Sequence, residues 1–260
     1  MKNALILLFV CFIQHMHANE YALNESALHT DARDLSLGGL ICDYQSVENN
    51  ELALTCLIPF QLKDLSVRKV AYAKKAFALE WQLDWYQSGN VDWMENNVGL
   101  HVGKNLNEQS YLGVSASLLK VENAEESVTT CFAELDGHYR LSEKIMVGIR
   151  MINPVGARIY YAGVTIPLSS SAHLGAQLSP TSKSRIFIEL HGQLHQPLRG
   201  RTGLEYALYD SFILRTGLST NPLMPSWGIG GTINRFKYSW GGNLHPILGF
   251  SNGFTLTYCW

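Results

Sequence analysis

Five ionisable side chains between residues 189 and 215 are the first candidates for chemistry: Glu189, His191, Arg201, Glu205 and Arg215. Carboxylates next to guanidinium and imidazole groups can form a buried network of hydrogen bonds and ion pairs. Lining a narrow passage, the same groups can also act as a constriction that selects solutes. Which of these roles applies depends on the elements that carry the five residues.

Two further motifs suggest enzymatic or metal chemistry, and the sequence argues against both. Gly249-Phe-Ser251-Asn-Gly253 matches the G-x-S-x-G motif of serine hydrolases, but that motif needs a helix after it and Asp and His residues further along the chain. Only seven residues follow Gly253, and they are typical of a strand. His191 and His195 have the spacing of two metal ligands on a helix, where no helix is predicted. We therefore predict no catalytic residue, no metal site and no cofactor.

Strict alternation at the end of the chain identifies the elements. Phe254, Leu256, Tyr258 and Trp260 are apolar and aromatic, and the residues between them are Thr, Thr and Cys. Successive side chains of a strand point to opposite faces, so this segment has one wholly apolar face. An aromatic residue at the very end, with apolar residues at alternate positions before it, resembles the signal read by the outer-membrane assembly machinery. We therefore predict that these four residues form an assembly signal.

The same period recurs along most of the chain, and no amphipathic helix of useful length competes with it. Arg201 and Glu205, for example, oppose Leu204, Tyr206 and Leu208. We expect one of the candidate strands, one of the first two, to lie outside the main sheet. The fifteen candidates are 51–60, 66–73, 76–86, 97–103, 110–121, 128–139, 143–152, 158–168, 172–180, 184–194, 200–209, 211–220, 226–234, 236–242 and 252–260.

Composition and the first segment restrict the class of protein. The 260 residues are 47% hydrophobic and only 16% charged, with 20 basic against 22 acidic residues, which argues against a nucleic-acid partner. Residues 1–18 are typical of a secretory signal peptide, with Lys2 before an apolar stretch at 4–13; a buried strand is the alternative. The four later cysteines contain no C-x-x-C pair, and their spacing leaves disulfide pairing open.

Alternation suits both a membrane barrel and a soluble β-sandwich, and three features favour the barrel. The apolar faces are aromatic-rich, the links near the end of the chain alternate between short and long, and the chain ends on a strand. We predict an all-β, up-and-down antiparallel transmembrane β-barrel of about 14 strands in the bacterial outer membrane. A periplasmic β-sandwich that binds a partner or a surface polymer is the alternative, and an outer-membrane phospholipase is a third hypothesis that lacks a supporting motif.

Tight turns between neighbouring strands predict which charges meet on the polar, lumen-facing side. A turn centred on residue 210 places Glu205 opposite Arg215, and one centred on residue 142 places Glu134 opposite Arg150, with Leu135 facing Ile149 on the other side. A turn near residue 197 would place Glu189 opposite Glu205, a like-charged pair that needs an arginine between them. The predicted lumen cluster is Glu189, His191, Arg201, Glu205, Arg215, Glu134 and Arg150. A structural network is the favoured interpretation, and a selective constriction is the alternative.

Short glycine-containing motifs resemble the PorV/PorQ-like outer-membrane proteins, which belong with the barrels similar to long-chain fatty-acid transporters. Near the beginning, Asp31-Ala-Arg-Asp-Leu-Ser-Leu37-Gly-Gly39 looks like that family's A-R-x-x-x-M-G-G opening, with Leu37 where Met is usual. The later matches are Arg201-Thr-Gly-Leu-Glu-Tyr206, Leu214-Arg-Thr-Gly217, Gly228-Ile-Gly230 and Leu248-Gly-Phe-Ser251. The family's Asn-Pro-Ala segment is not evident here.

The resemblance implies a 14-strand barrel whose N-terminal segment folds into or against the lumen. The predicted organisation is a signal peptide at 1–18, a plug or hatch at 19–50 and a barrel at 51–260. It also implies a non-enzymatic role, either in type IX secretion and cargo anchoring or as a narrow channel for hydrophobic molecules. The expected partners are outer-membrane lipids, the assembly machinery, and secretion-system components or a hydrophobic ligand.

Overall fold

A computed structural model describes residues 30–40, 42, 49–161, 164–193, 196–209 and 211–260. The predicted signal peptide, His195 and the residue at the centre of the predicted 210 turn lie outside these ranges. Strands dominate the described part, and only one short α-helix, α1 (Ala32–Ser36), precedes them. The strands are β1 (Glu51–Ile58), β2 (Val67–Ala76), β3 (Leu79–Gly89), β4 (Trp93–Asn105), β5 (Ser110–Asn123), β6 (Ser127–Ser142), β7 (Ile145–Ile152), β8 (Arg158–Tyr161), β9 (Val164–Pro167), β10 (Ser171–Thr181), β11 (Ser184–Gln193), β12 (Arg199–Tyr209), β13 (Phe212–Ser219), β14 (Met224–Ile233), β15 (Phe236–His245) and β16 (Gly249–Cys259).

Fourteen of these strands form a closed antiparallel barrel in which consecutive barrel strands pair, β7 with β10 across the excluded β8 and β9, so the predicted fold is confirmed. The barrel closes where β1 pairs with β16, with Glu51 opposite Cys259. The prediction of which strand lies outside was wrong. Both 51–60 and 66–73 contribute barrel strands, whereas 158–168 splits into the separate hairpin β8–β9. A hairpin alternates in polarity just as barrel strands do, so its sequence did not distinguish it.

The two ends of the barrel differ in the length of their links. At one end, called the turn end, strands are joined by two residues, except at 106–109. At the other, called the loop end, the links run from three residues up to the 18 residues of 153–170, which include β8–β9. This is the alternation that the sequence suggested. Among the described residues, no helix is both long and apolar enough to span a membrane.

The outer wall is apolar and the inner wall is largely polar, as the alternation predicted. Leu54, Leu118 and Ile188 point outward with 50–57% of their surface exposed, whereas the inward-facing Glu80 and Asn97 are buried. The outward face of the last strand carries Phe254, Leu256 and Tyr258, and Trp260 follows it. Aromatic rings meet along the turn end of this face: Tyr258 stacks on Trp260 and Trp260 on Tyr72, whereas Phe236 is tilted against Tyr258. A role of these residues in assembly stays a prediction.

The described part of the predicted plug lies inside the barrel. Helix α1 is capped by Asp31, whose side chain accepts a hydrogen bond from the backbone of Asp34. The helix contacts β13–β16 and β1, and Leu37 just after it is fully buried. Residues 19–29, 41 and 43–48 of the predicted plug lie outside the described ranges, so its full extent stays a prediction.

The lumen is apolar near the loop end. Here inward-facing side chains of several strands pack together and against the hairpin β8–β9, which folds over them. This part of the lumen is filled by packed apolar side chains of the wall, of the hairpin and of Leu35 on helix α1, and we call this packed region the apolar chamber. Its buried residues are Leu35, Leu57, Val67, Tyr86, Leu119, Val121, Phe132, Ile152, Ile159 and Leu168.

Candidate functional site

Glu205 is the centre of the first polar cluster in the lumen. Arg215 lies directly opposite on β13, and its Nε donates to Glu205 Oε2 at 2.7 Å. Arg33 of helix α1 donates to the same oxygen at 2.9 Å, and Arg185 of β11 lies 2.7 Å from the other oxygen. Three guanidinium groups therefore share one buried carboxylate. One of the three belongs to the plug, so this cluster joins the plug to the wall.

Glu189 is the centre of a second cluster nearer the loop end. Its Oε1 lies 2.9 Å from Nη1 of Arg201 and 3.1 Å from Nδ1 of His173. Its Oε2 accepts a hydrogen bond from the backbone N–H of Cys42 at 2.7 Å, which is a second attachment of the plug. The ring of His173 stacks on that of His191 with centroids 4.4 Å apart. Glu189 and both imidazoles are almost completely buried.

The register settles the predicted charge pairs. Glu205 lies opposite Arg215, as predicted. The prediction that Glu189 lies opposite Glu205 was wrong: Glu189 faces Arg201, and Glu205 faces Arg185. Each carboxylate therefore has an arginine directly opposite, and no like-charged pair forms between these two strands.

The prediction that Glu134 lies opposite Arg150 was also wrong. Glu134 faces Ile152, and Asp136 faces Arg150, while Leu135 faces Met151 instead of Ile149. The turn lies at residues 143 and 144 instead of at 142, and a bulge between residues 140 and 142 changes the register by one, so the final register differs from the predicted one by two positions. A shift by two keeps every side chain on its predicted face, so Glu134 still points inward, where it is buried.

A third polar cluster on β4–β6 was not among the predicted site residues. Nδ1 of His101 lies 2.9 Å from the hydroxyl of Ser115, and Nε2 lies 2.9 Å from that of Tyr111. The ring of Tyr111 stacks on His138, and Asp136 lies 3.5 Å from His101. Alternation alone assigned Asp136 and His138 to the polar face. Only knowledge of the register could have brought His101 and Tyr111 to them.

The plug packs against inward-facing glycines of strands β10 and β12–β15. A Cβ added at Gly217 would lie 2.3 Å from the carbonyl carbon of Leu37, and one at Gly241 would lie 2.1 Å from the carbonyl oxygen of Ala32. Such distances are too short for any side chain, so the plug backbone needs these glycines. The other glycines whose added Cβ would meet the plug within 3 Å are Gly175, Gly203 and Gly228. The motif at 31–39 is therefore in contact with the motifs at 201–230. These are the motifs on which the PorV/PorQ resemblance is based.

Charges on the plug are tuned by burial. Burial raises the pKa of the Asp34 carboxyl well above its usual range, the nearby Asp31 carboxylate adds to the rise, and Arg33 opposes it. Burial by itself would lower the pKa of Arg33, but the carboxylates of Glu205 and Asp34 outweigh it and raise that pKa. Arg33 therefore stays positively charged, and its ring contact with Phe187, 5.5 Å to the centroid, adds a cation–π interaction.

A cavity of about 440 Å³ lies between helix α1 and the turn end. Charged residues of both signs line it, including Asp31, Lys69, Glu205 and Lys237. Along the barrel axis, the lumen thus runs from a polar cavity, through the plug and its two attachments, to the apolar chamber. A solute that follows this path must displace or pass the plug.

The motifs with apparent catalytic or metal-binding potential have structural roles where they are described. Ser251 lies inside β16, away from any strand-to-helix turn, and its hydroxyl accepts a hydrogen bond from the backbone of Phe60 at 3.0 Å. Across the ranges that the structure describes, no group of three or more His, Cys, Asp or Glu side chains is arranged to hold a metal ion.

Comparison with solved structures identifies similar barrels at very low sequence identity. The toluene transporter TodX of Pseudomonas putida superposes with a TM-score of 0.57 and 9% identity, over 92% of this chain and 93% of that one. The toluene transporter TbuX of Ralstonia pickettii gives 0.57 and 9%, over 94% and 96%. No protein-family model matches the chain, and no curated protein is similar to it in sequence. The similarity establishes a shared 14-strand barrel fold.

Proposed function

We propose that this protein is a non-enzymatic outer-membrane barrel that acts as a narrow channel for small hydrophobic molecules. The observation that carries the proposal is the apolar chamber inside a closed barrel, separated from a polar cavity by a plug. An ordinary water-filled pore would need a polar lining along its whole length. Here an apolar solute has a favourable site at the loop end.

The outer wall supports a place in a membrane. Large apolar side chains are exposed around the barrel on nearly every strand, for example Leu100, Val114, Leu204 and Leu214 at 42–48%. Water solvates such a continuous surface poorly, and lipid solvates it well. Because closed barrels with this surface are found in bacterial outer membranes, we propose the outer membrane as the location and its lipids as the first partner. The signal peptide at 1–18 and the assembly signal from Phe254 to Trp260 belong to the same proposal.

The class of ligand follows from the chamber. Its lining is aliphatic and aromatic, and the fold is shared with toluene transporters, so small hydrocarbons and other uncharged apolar molecules are the proposed ligands. The two polar attachments of the plug, Arg33 to Glu205 and Cys42 to Glu189, would hold the passage closed to water and ions. Passage of a ligand would then require local movement of residues 30–42.

Ligand binding can be tested with two substitutions on adjacent residues of β5. Leu119 points into the chamber and is 1% exposed, whereas Leu118 points outward and is 53% exposed. The protein is reconstituted in vesicles, and binding of the apolar fluorophore N-phenylnaphthylamine and displacement of it by toluene are measured. We expect Leu119→Asn to weaken the binding of both probes by about tenfold, because a polar group replaces apolar lining. Leu118→Asn should leave binding unchanged.

Equal binding by the wild type and both variants would contradict the channel proposal, since the probe would then be dissolving in lipid alone. A separate control establishes that each variant is folded. Membrane barrels resist dodecyl sulfate in the cold and change mobility on heating, so both variants should show this shift on a gel. If the wild type lacks the shift and remains in the soluble periplasmic fraction, the membrane location is wrong.

A role in type IX secretion or cargo anchoring is the second candidate. The observation that favours it is the contact between the two motif groups of the PorV/PorQ resemblance, which brings Leu37 onto Gly203 and Gly217. Pull-down of the tagged barrel from its native membrane tests this role. Recovery of secretion components together with unchanged probe binding in Leu119→Asn would favour secretion over a channel.

A further inference from the structure

We propose that apolar side chains on four neighbouring links of the loop end reach into the hydrocarbon of the outer leaflet, while the link backbone lies at the membrane interface. Six leucine and isoleucine side chains on these loops form a surface that we call the apolar rim. All six are between 43% and 87% exposed: Leu62, Leu65, Leu198, Leu223, Ile247 and Leu248. The inference rests on the proposed membrane location and goes beyond it, because it assigns a specific lipid-contacting surface to loops.

The links that carry the rim are adjacent around the barrel. They join β11 to β12, β13 to β14, β15 to β16 and β1 to β2, which follow one another in the strand order. The rim is therefore one continuous arc. It also continues the apolar outer wall below it, where Leu218, Trp227 and Leu244 are 37–43% exposed.

Strand length determines the depth of this arc. A strand tilted by about 40° climbs about 2.5 Å per residue along the barrel axis. Strands β11–β16, β1 and β2 have 8 to 11 residues, so they rise by about 20–28 Å. The apolar band of an outer-membrane barrel is about 25 Å tall. The rim thus lies at the upper edge of the band, where exposed leucine and isoleucine meet acyl chains.

On the opposite side of the barrel, the link between β5 and β6 is a charged counterpart to the rim. Strands β4–β6 have 13, 14 and 16 residues, so they rise by about 33–40 Å. The link at 124–126 that joins β5 to β6 is Ala-Glu-Glu, and the outward-facing Lys120 and Glu122 below it form an ion pair. Charge therefore appears on the outer wall where the strands exceed the height of the band. On the side with the shorter strands, the corresponding surface is the apolar rim, and it lies at the upper edge of the apolar band.

We assign lipid as the occupant of the apolar rim for two reasons. The height of the rim along the barrel axis matches the upper edge of the apolar band, and its side chains are as apolar as acyl chains. A protein partner seated on the rim would also have to reach down into the band, where the wall below is equally apolar. Lys63 and Asp64 are the charged residues of the 59–66 link, and the long side chain of Lys63 can extend toward the headgroups from this depth. A barrel anchored in this way sits low on one side, and its tall side projects above the membrane.

Fluorescence quenching at three labelled positions tests the proposal. In a background with the described cysteines replaced by serine, bimane is attached to Ile247→Cys on the rim, Glu125→Cys on the tall side or Ile188→Cys in the middle of the wall. The barrels are placed in phosphatidylcholine vesicles, with or without acyl-chain-brominated phosphatidylcholine, and aqueous iodide is the second quencher. Cold resistance to dodecyl sulfate confirms that each labelled protein is folded.

We expect bromolipid to quench Ile247→Cys and Ile188→Cys strongly, whereas iodide should quench Glu125→Cys. Quenching of Ile188→Cys by bromolipid, together with quenching of Ile247→Cys by iodide alone, would overturn the rim proposal and leave the membrane location intact. Shielding of Ile247→Cys from both quenchers would mean that protein covers the rim, which also overturns it. Failure of bromolipid to quench Ile188→Cys would overturn the membrane location itself.

Discussion

The two halves of the lumen wall differ in the residues that face inward, although both belong to one barrel. The inner face of β10–β16, called the plug wall, combines glycines with the buried groups of Glu189, Glu205 and Arg215. The inner face of β2–β7, called the chamber wall, has an imidazole and tyrosine cluster at mid-height and apolar residues above it. The glycines of the plug wall leave room for the backbone of the plug, whereas the upper part of the chamber wall presents apolar side chains. In the proposed channel, closure and ligand binding would then belong to separate sides of the lumen.

The largest expected effect comes from breaking the shared carboxylate of the plug wall. Glu205→Gln removes the only negative charge within 3 Å of Arg33, Arg185 and Arg215 in the described part of the chain. Because the buried Arg215 guanidinium would lose the carboxylate to which it donates, we expect a loss of about 3–5 kcal/mol in the free energy of unfolding. Guanidinium titration in detergent, followed by tryptophan fluorescence, measures it.

The matched control for this prediction is Glu122→Gln, which breaks the solvent-facing pair with Lys120. An exposed pair contributes less than about 1 kcal/mol, so this variant should unfold close to the wild type. Equal losses in the two variants would mean that the Glu205 cluster is not a structural network. A further readout addresses the alternative of a constriction: if Arg215→Ala changes ion conductance without changing stability, the cluster acts as a gate.

A smaller effect is expected when a methyl group is added to a glycine that the plug backbone approaches. Gly217→Ala places a methyl group where Leu37 and Gly38 now approach, so the plug must shift. Overpacking of this kind costs about 1–3 kcal/mol. Movement of residues 37–42 should also make the Cys42 thiol react faster with a water-soluble maleimide. Gly200→Ala is the control, since its nearest neighbour, a side-chain atom of Thr220, is at an ordinary contact distance of 3.6 Å.

Unchanged maleimide reactivity of Cys42 in Gly217→Ala would show that the plug does not depend on this glycine. Serine is placed at Cys56, Cys131 and Cys259 in every protein compared, so that Cys42 is the reporting thiol among the described residues.

The sequence was sufficient for the faces of the strands and insufficient for their register. Alternation correctly assigned Glu205 and Arg215 to the inside and Leu256 to the outside, because a side chain's face depends only on parity. Pairing across a link depends on its exact length and on bulges. The link between Gln193 and Arg199 displaced the prediction for Glu189, and the turn at 143–144 together with the bulge after Arg140 displaced the prediction for Glu134.

Two features of the lumen lay beyond what polarity patterns can predict. In β5 the inward residues change from Ser115 and Ser117 to Leu119 and Val121 without any break in the alternation, since the outward residues become polar at Lys120. The apolar chamber arises from this inversion, together with a hairpin that the sequence had suggested as barrel wall. The glycines that contact the plug could not be predicted either. A glycine in a sequence does not indicate which backbone approaches it until the register of the strands is known.

The smallest expected effect concerns the chamber wall and sharpens the comparison between the two sides. Tyr111→Phe removes the hydroxyl that lies 2.9 Å from His101 while keeping the ring stacked on His138. Loss of one half-buried hydrogen bond costs about 1 kcal/mol. The control Tyr139→Phe removes an exposed hydrogen bond to Gln109 and should cost less. Because Tyr111 lies on the chamber wall, the substitution should leave the maleimide reactivity of Cys42 unchanged, in contrast to Gly217→Ala. If Tyr111→Phe also exposed Cys42, the two walls would be coupled, and closure and ligand binding would not be separable.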